Sequence, residues 1–263
     1  MKEIGLTERF ERALTMATRL HRAQIRKGTE RTPVPYLAHL LEVTAIVLGE
    51  SVPEDVVIAA LLHDGPEDAG GLPVRDQIRE RFGDRVAEIV DGCTDAHQTP
   101  KPPWIERKEQ YLARLGRSDD FDILLVKCAD CLSNARATLR DYRLKGDEVW
   151  NRFTGMPCAS CQRSWYASVR EALRPLGQSA SCFAELDQAV SALLNETRPS
   201  DSTDHVHMPM PEVAAVSAED FEDPLVAGFD PRHRCPLCSH VPIAPADGSG
   251  RDCPNCGHRW EIR

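Results

Sequence analysis

The chain has 263 residues, 41% hydrophobic and 6% aromatic, with a formal net charge of −9. Such a length fits one large domain or two unequal ones. The acidic balance excludes broad binding to nucleic acid or anionic membrane, so an anionic ligand would need a local basic patch or a metal. No apolar run is long enough to span a bilayer, and the start, MKEIGLTERFERAL, lacks the apolar core of a secretory signal. A cytoplasmic protein without a membrane partner is expected.

Over residues 6–24, Phe10, Ala13, Leu14, Met16, Ala17 and Leu20 recur at helical spacing, with Thr7 as N-cap and Glu8 in the first turn. His21 falls at the end of this helix. Arg22, Arg26 and Lys27 follow, three cations in six residues, and lead into a Gly/Thr/Pro loop. Basic residues suit a helix C-terminus; they also suit a phosphate. A second helix opens over residues 33–39, with Leu37, Leu40, Leu41, Thr44, Ala45 and Leu48 as its apolar face and His39 near the N-terminal end of that face. Strands are hard to place in this region.

A third helix starts at Glu54 and Asp55 and runs into AALLHDGPEDA, residues 59–69. The apolar run breaks at His63-Asp64, and Glu67-Asp68 come one turn later. An unpaired buried charge is costly, and a bound metal is a common partner for adjacent His and Asp side chains. Taken alone, the same residues read as a helix stopped by Gly65-Pro66 with surface charges after it. Two short helices broken at Gly83 are expected over residues 76–82 and 84–90. Residues 93–104, with three prolines, read as a loop, a candidate lid or substrate contact in which His97 is taken as a surface residue. Helical periodicity resumes over residues 105–115.

Residues 122–139, DILLVKCADCLSNARATL, form a helix with a buried stripe of Leu124, Leu125, Cys128, Leu132, Ala135 and Leu139. Asp130 falls within this apolar stretch, Asn134 lies one turn further on, and Lys127 one turn before. A carboxylate there requires a cation or hydrogen bonds, and an internal salt bridge to Lys127 would answer that without any metal. Cys158 and Cys161 read as helix-start residues. A last amphipathic helix spans residues 183–194.

Residues 198–230, rich in Pro, Ser, Asp and Glu, read as an acidic flexible linker. Beyond it stand Cys235-Pro-Leu-Cys238 and Cys253-Pro-Asn-Cys256. Two such knuckles across a short hairpin give four thiolates for one Zn2+, in a segment too short to build a core without it. With all four positions filled by cysteine the site is structural, and His240 and His258 are spectators. Residues 231–263 are thus read as a four-cysteine zinc ribbon for a protein partner or a weak nucleic-acid contact.

His39, His63-Asp64 and Asp130 put ligand types for a divalent ion on successive helices. This order, with RKG (26–28), PYLAH (35–39), LLHDGPED (61–68), RFGDRVAEIVDGCT (81–94) and KCADCLSNAR (127–136), resembles the HD-domain phosphohydrolases. The resemblance is narrower to the hydrolase domain of the RelA/SpoT alarmone enzymes and small alarmone hydrolases, and covers residues 5–195. It implies an all-α helical bundle as residues 1–197, with Mn2+ held by His39, His63, Asp64 and Asp130. The family's catalytic acidic pair falls on Glu67 and Asp68, and its nucleotide contacts on Arg26, Lys27 and Asn134. The implied reaction removes the 3′-pyrophosphate of guanosine tetra- or pentaphosphate. The chain departs from the family at Ala69, at Cys131 in place of a basic residue, and at Leu40 in place of Pro. No segment resembles the family's synthetase, so hydrolysis rather than synthesis is expected. A hydrolase of another phosphorylated nucleotide and a nucleotide-sensing module docking through the ribbon stand as alternatives.

One zinc per chain is expected in the full-length protein, held by Cys235, Cys238, Cys253 and Cys256. Elemental analysis should find it, and Cys238→Ser should release it without removing a metal bound at His63 and Asp130.

Overall fold

The structure, a computed structural model, describes residues 5–97, 101–153, 155–156 and 158–197, and the backbone of 251–252 and 259–260. Among the described residues the helices run in order as α1 Glu8–Leu20, α2 Leu37–Leu48, α3 Glu54–Leu62, α4 Gly65–Ala69 and α5 Leu72–Phe82. They continue as α6 Asp84–Cys93, α7 Trp104–Leu115, α8 Phe121–Lys145, α9 Ala159–Ala172 and α10 Ser181–Glu196, with 3-10 turns at Gly146–Arg152 and Arg174–Ser179. Two units are distinguished by chain contacts, Met1–Val213 and Ala214–Arg263. In the second, Arg251–Asp252 pairs antiparallel with Arg259–Trp260. The expected zinc cysteines and the linker lie outside the described residues.

The helical unit is built round α3 and α8. Val56 to Leu62 are all buried, as are Leu124 to Ser133, so α3 past its first two residues and the 124–133 stretch of α8 are enclosed on every side. Helix α8 has 25 residues, a length of about 37 Å. It packs on α2, α6 and α10, while α3 packs on α1, α2 and α6. Any polar group on the enclosed part of either helix must therefore find its partner inside the protein.

The local signals act largely as expected. Thr7 caps α1, its hydroxyl accepting from Arg9 N. Cys158 caps α9, its sulfur accepting from Cys161 N, and both thiols are buried. Gly83 takes φ +96° between α5 and α6, a conformation that favours glycine. Helix α1 ends at Leu20 with His21 as its C-cap, where the sequence places its end. The chain then forms a short antiparallel contact in which Arg26 N donates to Val34 O and Tyr36 N to Gln24 O, around an Ile25–Pro35 bridge. Gly65-Pro66 does not simply stop a helix. Pro66 lies in the first turn of α4, where its missing N–H costs nothing, so the pair opens the helix that carries Glu67 and Asp68.

Glu50, from the α2–α3 turn, closes the N-terminus of α10. Its carboxylate accepts from Ser181 N at 3.0 Å, Ser181 Oγ at 2.6 Å and Cys182 N at 2.7 Å. It thus serves end N–H groups and complements the helix dipole. Glu50→Ala should cost about 1–2 kcal/mol in urea unfolding, the range of a lost cap, and leave metal content unchanged.

Candidate metal and substrate site

Four side chains expected to act together converge at the junction of α2, α3, α4 and α8. His39 lies in the first turn of α2, His63 directly after α3, Asp64 at the N-cap of α4 and Asp130 in the middle of α8. His39, His63 and Asp130 each bring one ligand atom within 4.8 Å of the others. Asp64 Oδ2 adds to the group, 3.0 Å from His63 Nε2 and 3.6 Å from His39 Nε2. Asp130 Oδ1 lies 3.3 Å from His39 Nε2 and 3.8 Å from His63 Nε2. Both histidines are buried.

Hydrogen bonds on the far side of each ring fix how the histidines face the cluster. His63 Nδ1 is 2.8 Å from Ala60 O, which only accepts, so Nδ1 carries a proton. Ser133 Oγ donates to Glu42 Oε2 at 2.9 Å, and therefore accepts from His39 Nδ1, also at 2.9 Å. Each ring thus turns Nε2 inward, and both Nε2 atoms are buried without a hydrogen-bond partner. Two orphaned imidazole nitrogens facing two carboxylate oxygens fit a divalent ion with mixed N/O ligands.

Asp130 is satisfied on both oxygens. Its Oδ2 accepts from Lys127 Nζ at 2.8 Å, and Asn134 Nδ2 donates to its Oδ1. The internal salt bridge and the cluster therefore coexist, one on each carboxylate oxygen. Burial opposes the Asp130 charge, but Lys127 and the two histidines hold its pKa well below the usual carboxylate range. Burial likewise opposes the Lys127 charge, and Asp130 holds it well above the lysine range. The ammonium also lies 4.9 Å from the centre of the Tyr111 ring.

A cavity of about 620 Å3 opens beside the cluster. Asp64 and Asp130 reach its wall, as do all the expected substrate and acid residues: Arg26, Lys27, Glu67, Asp68 and Asn134. Eight Lys or Arg line it against five Asp or Glu, in a chain of net charge −9. Lys101, Arg107, Lys108 and Arg152 are among them and are not evident from sequence spacing. Lys101, in the loop expected to be a lid or substrate contact, sits 3.0 Å from Glu67 Oε1 and 3.4 Å from Asp68 Oδ1. Arg107 and Lys108 hold Asp95 at 2.6 and 2.8 Å, and Arg152 holds Asp141 at 2.7 Å. Arg26 and Lys27 have no carboxylate partner among the described residues. Arg26 instead donates to Asn134 Oδ1 at 3.0 Å.

Burial and the neighbouring charge of Asp95 push the Glu67 carboxyl above its ordinary pKa, against the pull of Lys108 and Lys101. Gln24 Nε2 donates to Asp68 Oδ2 at 2.8 Å. Cys131, where the resembled family has a basic residue, also lines the cavity; burial pushes its thiol up to about 12, so that wall is neutral. His97, expected at the surface, is half-buried, with Nε2 3.2 Å from Asp91 Oδ1. Tyr36 was missed by sequence reasoning: its hydroxyl donates to Asp64 Oδ2 at 2.5 Å.

The family model described as HD domain matches residues 13–155. A guanosine-3′,5′-bis(diphosphate) 3′-pyrophosphohydrolase of Aquifex aeolicus is 34% identical over 130 residues, 49% of this chain and 18% of the relative. A GTP pyrophosphokinase of Myxococcus xanthus is 30% identical over 132 residues, 48% of this chain and 17% of the relative. The chain thus matches less than a fifth of the length of these curated relatives. A solved structure described as a metazoan ortholog of SpoT that hydrolyzes ppGpp aligns with TM-score 0.56 and 27% identity, over 71% of this chain and 96% of that one. A Listeria monocytogenes crystal structure aligns with TM-score 0.52 and 24% identity, over 60% of this chain and 99% of that one, and bears on the fold alone.

Removing Lys127 would take the ammonium from Asp130 Oδ2 and leave that buried oxygen unpaired. Lys127→Met should destabilise the metal-free protein by about 3–5 kcal/mol in denaturant unfolding. Added Mn2+ should restore part of the loss.

Proposed function

The chain belongs to the HD domain family, and from that premise we propose that it is a metal-dependent phosphohydrolase that removes the 3′-pyrophosphate of guanosine tetra- or pentaphosphate. The observation that carries this reading is one continuous surface. Two members of the metal cluster, Asp64 and Asp130, meet an acidic pair and two cations without carboxylate partners among the described residues at one cavity. The named activities of the Aquifex relative and the metazoan SpoT ortholog support the choice of substrate.

In this proposal His39, His63, Asp64 and Asp130 hold a divalent ion, taken as Mn2+. When bound, such an ion neutralises phosphate charge and makes water more acidic. Arg26 and Lys27 receive the phosphates, since no described carboxylate competes for them. Asn134 ties Arg26 to Asp130, so the clamp and the ion site keep one spacing. Glu67 and Asp68 act as the acid–base pair, with Glu67 giving a proton to the departing 3′-oxygen as its bond to phosphorus breaks. Asp68, fixed by Gln24, accepts a proton from the attacking water. Water adds its oxygen to phosphorus, and the products are pyrophosphate and the nucleoside 5′-di- or triphosphate.

A hydrolase of a different phosphorylated nucleotide is the second reading, favoured by the neutral Cys131 wall. For the rest of the chain we propose residues 198–230 as a linker and 231–263 as a zinc ribbon that docks a protein or weakly contacts nucleic acid.

Incubation with guanosine tetraphosphate and Mn2+ should release pyrophosphate, and a panel of other phosphorylated nucleotides should react more slowly. No release by metal-loaded protein overturns the substrate assignment. Glu67→Gln should lower kcat by about 10²–10⁴-fold, the usual contribution of a positioned acid, with Mn2+ content retained.

A further inference from the structure

Tyr36 is half-buried, at the N-cap of α2, and contacts both the metal cluster and Arg26. Its hydroxyl donates to Asp64 Oδ2, the same oxygen that faces His63 Nε2 at 3.0 Å and His39 Nε2 at 3.6 Å. The ring meets the His39 ring edge-on, with centroids 5.5 Å apart. The Arg26 guanidinium carbon lies 5.7 Å from the ring centre, within the range of a cation–π contact. The ring also stacks on His21, with centroids 5.2 Å apart. His21 is buried and bonds to Gln24 Oε1 at 2.6 Å, and Gln24 donates to Asp68.

The backbone explains why these residues meet. Tyr36 N donates to Gln24 O, and Arg26 N donates to Val34 O. This short antiparallel contact places Gln24 and Arg26 beside Tyr36, although ten or more residues separate them along the chain.

We infer that Tyr36 is a positioning residue that holds the metal ligand Asp64 and the phosphate-binding Arg26 in register. Its hydroxyl serves the metal half: it keeps Asp64 Oδ2 turned to the two histidines by occupying one lone pair of that oxygen. Its ring serves the substrate half, as the surface against which Arg26 is held. The two halves are chemically separable, because phenylalanine keeps the ring and loses the hydroxyl. The assignment rests on the phosphohydrolase reading for what binds, but not on the identity of the nucleotide.

Full-length wild type, Tyr36→Phe and Tyr36→Leu are to be compared in two equilibrium titrations. The first follows Mn2+ by electron paramagnetic resonance, an ion for which the ribbon thiolates have little preference. The second follows inorganic pyrophosphate by calorimetry at saturating Mn2+. Tyr36→Phe should weaken Mn2+ about 10- to 100-fold, the range for losing a hydrogen bond to a ligand, with pyrophosphate affinity unchanged. Tyr36→Leu should weaken Mn2+ similarly and also weaken pyrophosphate severalfold. A Mn2+ dissociation constant for Tyr36→Phe within twofold of wild type overturns the role of the hydroxyl. Unchanged pyrophosphate affinity in Tyr36→Leu overturns the role of the ring. A large drop in the metal-free melting temperature of Tyr36→Phe also overturns the inference, because it makes the residue merely structural. Neither titration uses guanosine tetraphosphate, so failure of the substrate assignment leaves both results readable.

Discussion

A carboxylate lies in the enclosed stretch of a long helix, and much of the site follows from it. Asp130 is almost wholly withdrawn from solvent, so its charge must be met from within. Lys127 meets one oxygen at 2.8 Å, while Asn134 and the two inward imidazoles surround the other. Each of those partners is itself pinned: Lys127 against the Tyr111 ring, His39 through Ser133 to Glu42, His63 to the Ala60 carbonyl. Holding one buried charge thus orders residues from four helices, and that order leaves two imidazole nitrogens free to face an ion.

The second constraint is charge separation within an acidic chain. The protein carries −9 overall, yet the cavity beside the cluster is lined by more cations than carboxylates. Several of the cations there are held by carboxylates: Lys101 by Glu67 and Asp68, Arg107 and Lys108 by Asp95, Arg152 by Asp141. These pairs position side chains more than they offer free charge. Arg26 and Lys27 differ, since they line the same cavity and no carboxylate among the described residues neutralises them. In the proposed hydrolase, that contrast separates the cations that receive phosphate from those that hold side chains in place.

Much of the fold was legible because its signals are local. Apolar positions at helical spacing mark α1, α8 and α10, and Thr7, Gly83 and Cys158 punctuate the chain for reasons of capping and backbone conformation. The His63-Asp64 and Glu67-Asp68 pairs stand out because charges at the end of an apolar helix demand an explanation. Tyr36, Lys101, Lys108 and Arg152 give no such signal. A tyrosine before a helix and basic residues in a loop or on an amphipathic helix are ordinary in sequence, and only their neighbours in space give them a role. Gly65-Pro66 shows a different limit: the dipeptide marks a break after α3, but a break can end one helix or begin the next, and here it begins α4.

The sequence by itself determined the helical class, the order of the site residues and the resemblance to HD-domain phosphohydrolases, because helical period and residue chemistry are written in the chain. It left open whether Asp130 pairs with Lys127 or joins the histidines. Only the tertiary structure decided that it does both, since a carboxylate has two oxygens and packing alone sets what each one faces. The tertiary structure also decided the tautomers of His39 and His63, through groups as distant in sequence as Ser133. And it decided that Tyr36 should touch both Asp64 and Arg26, because a backbone contact between residues 24–26 and 34–36 is a matter of register, which helical periodicity does not encode.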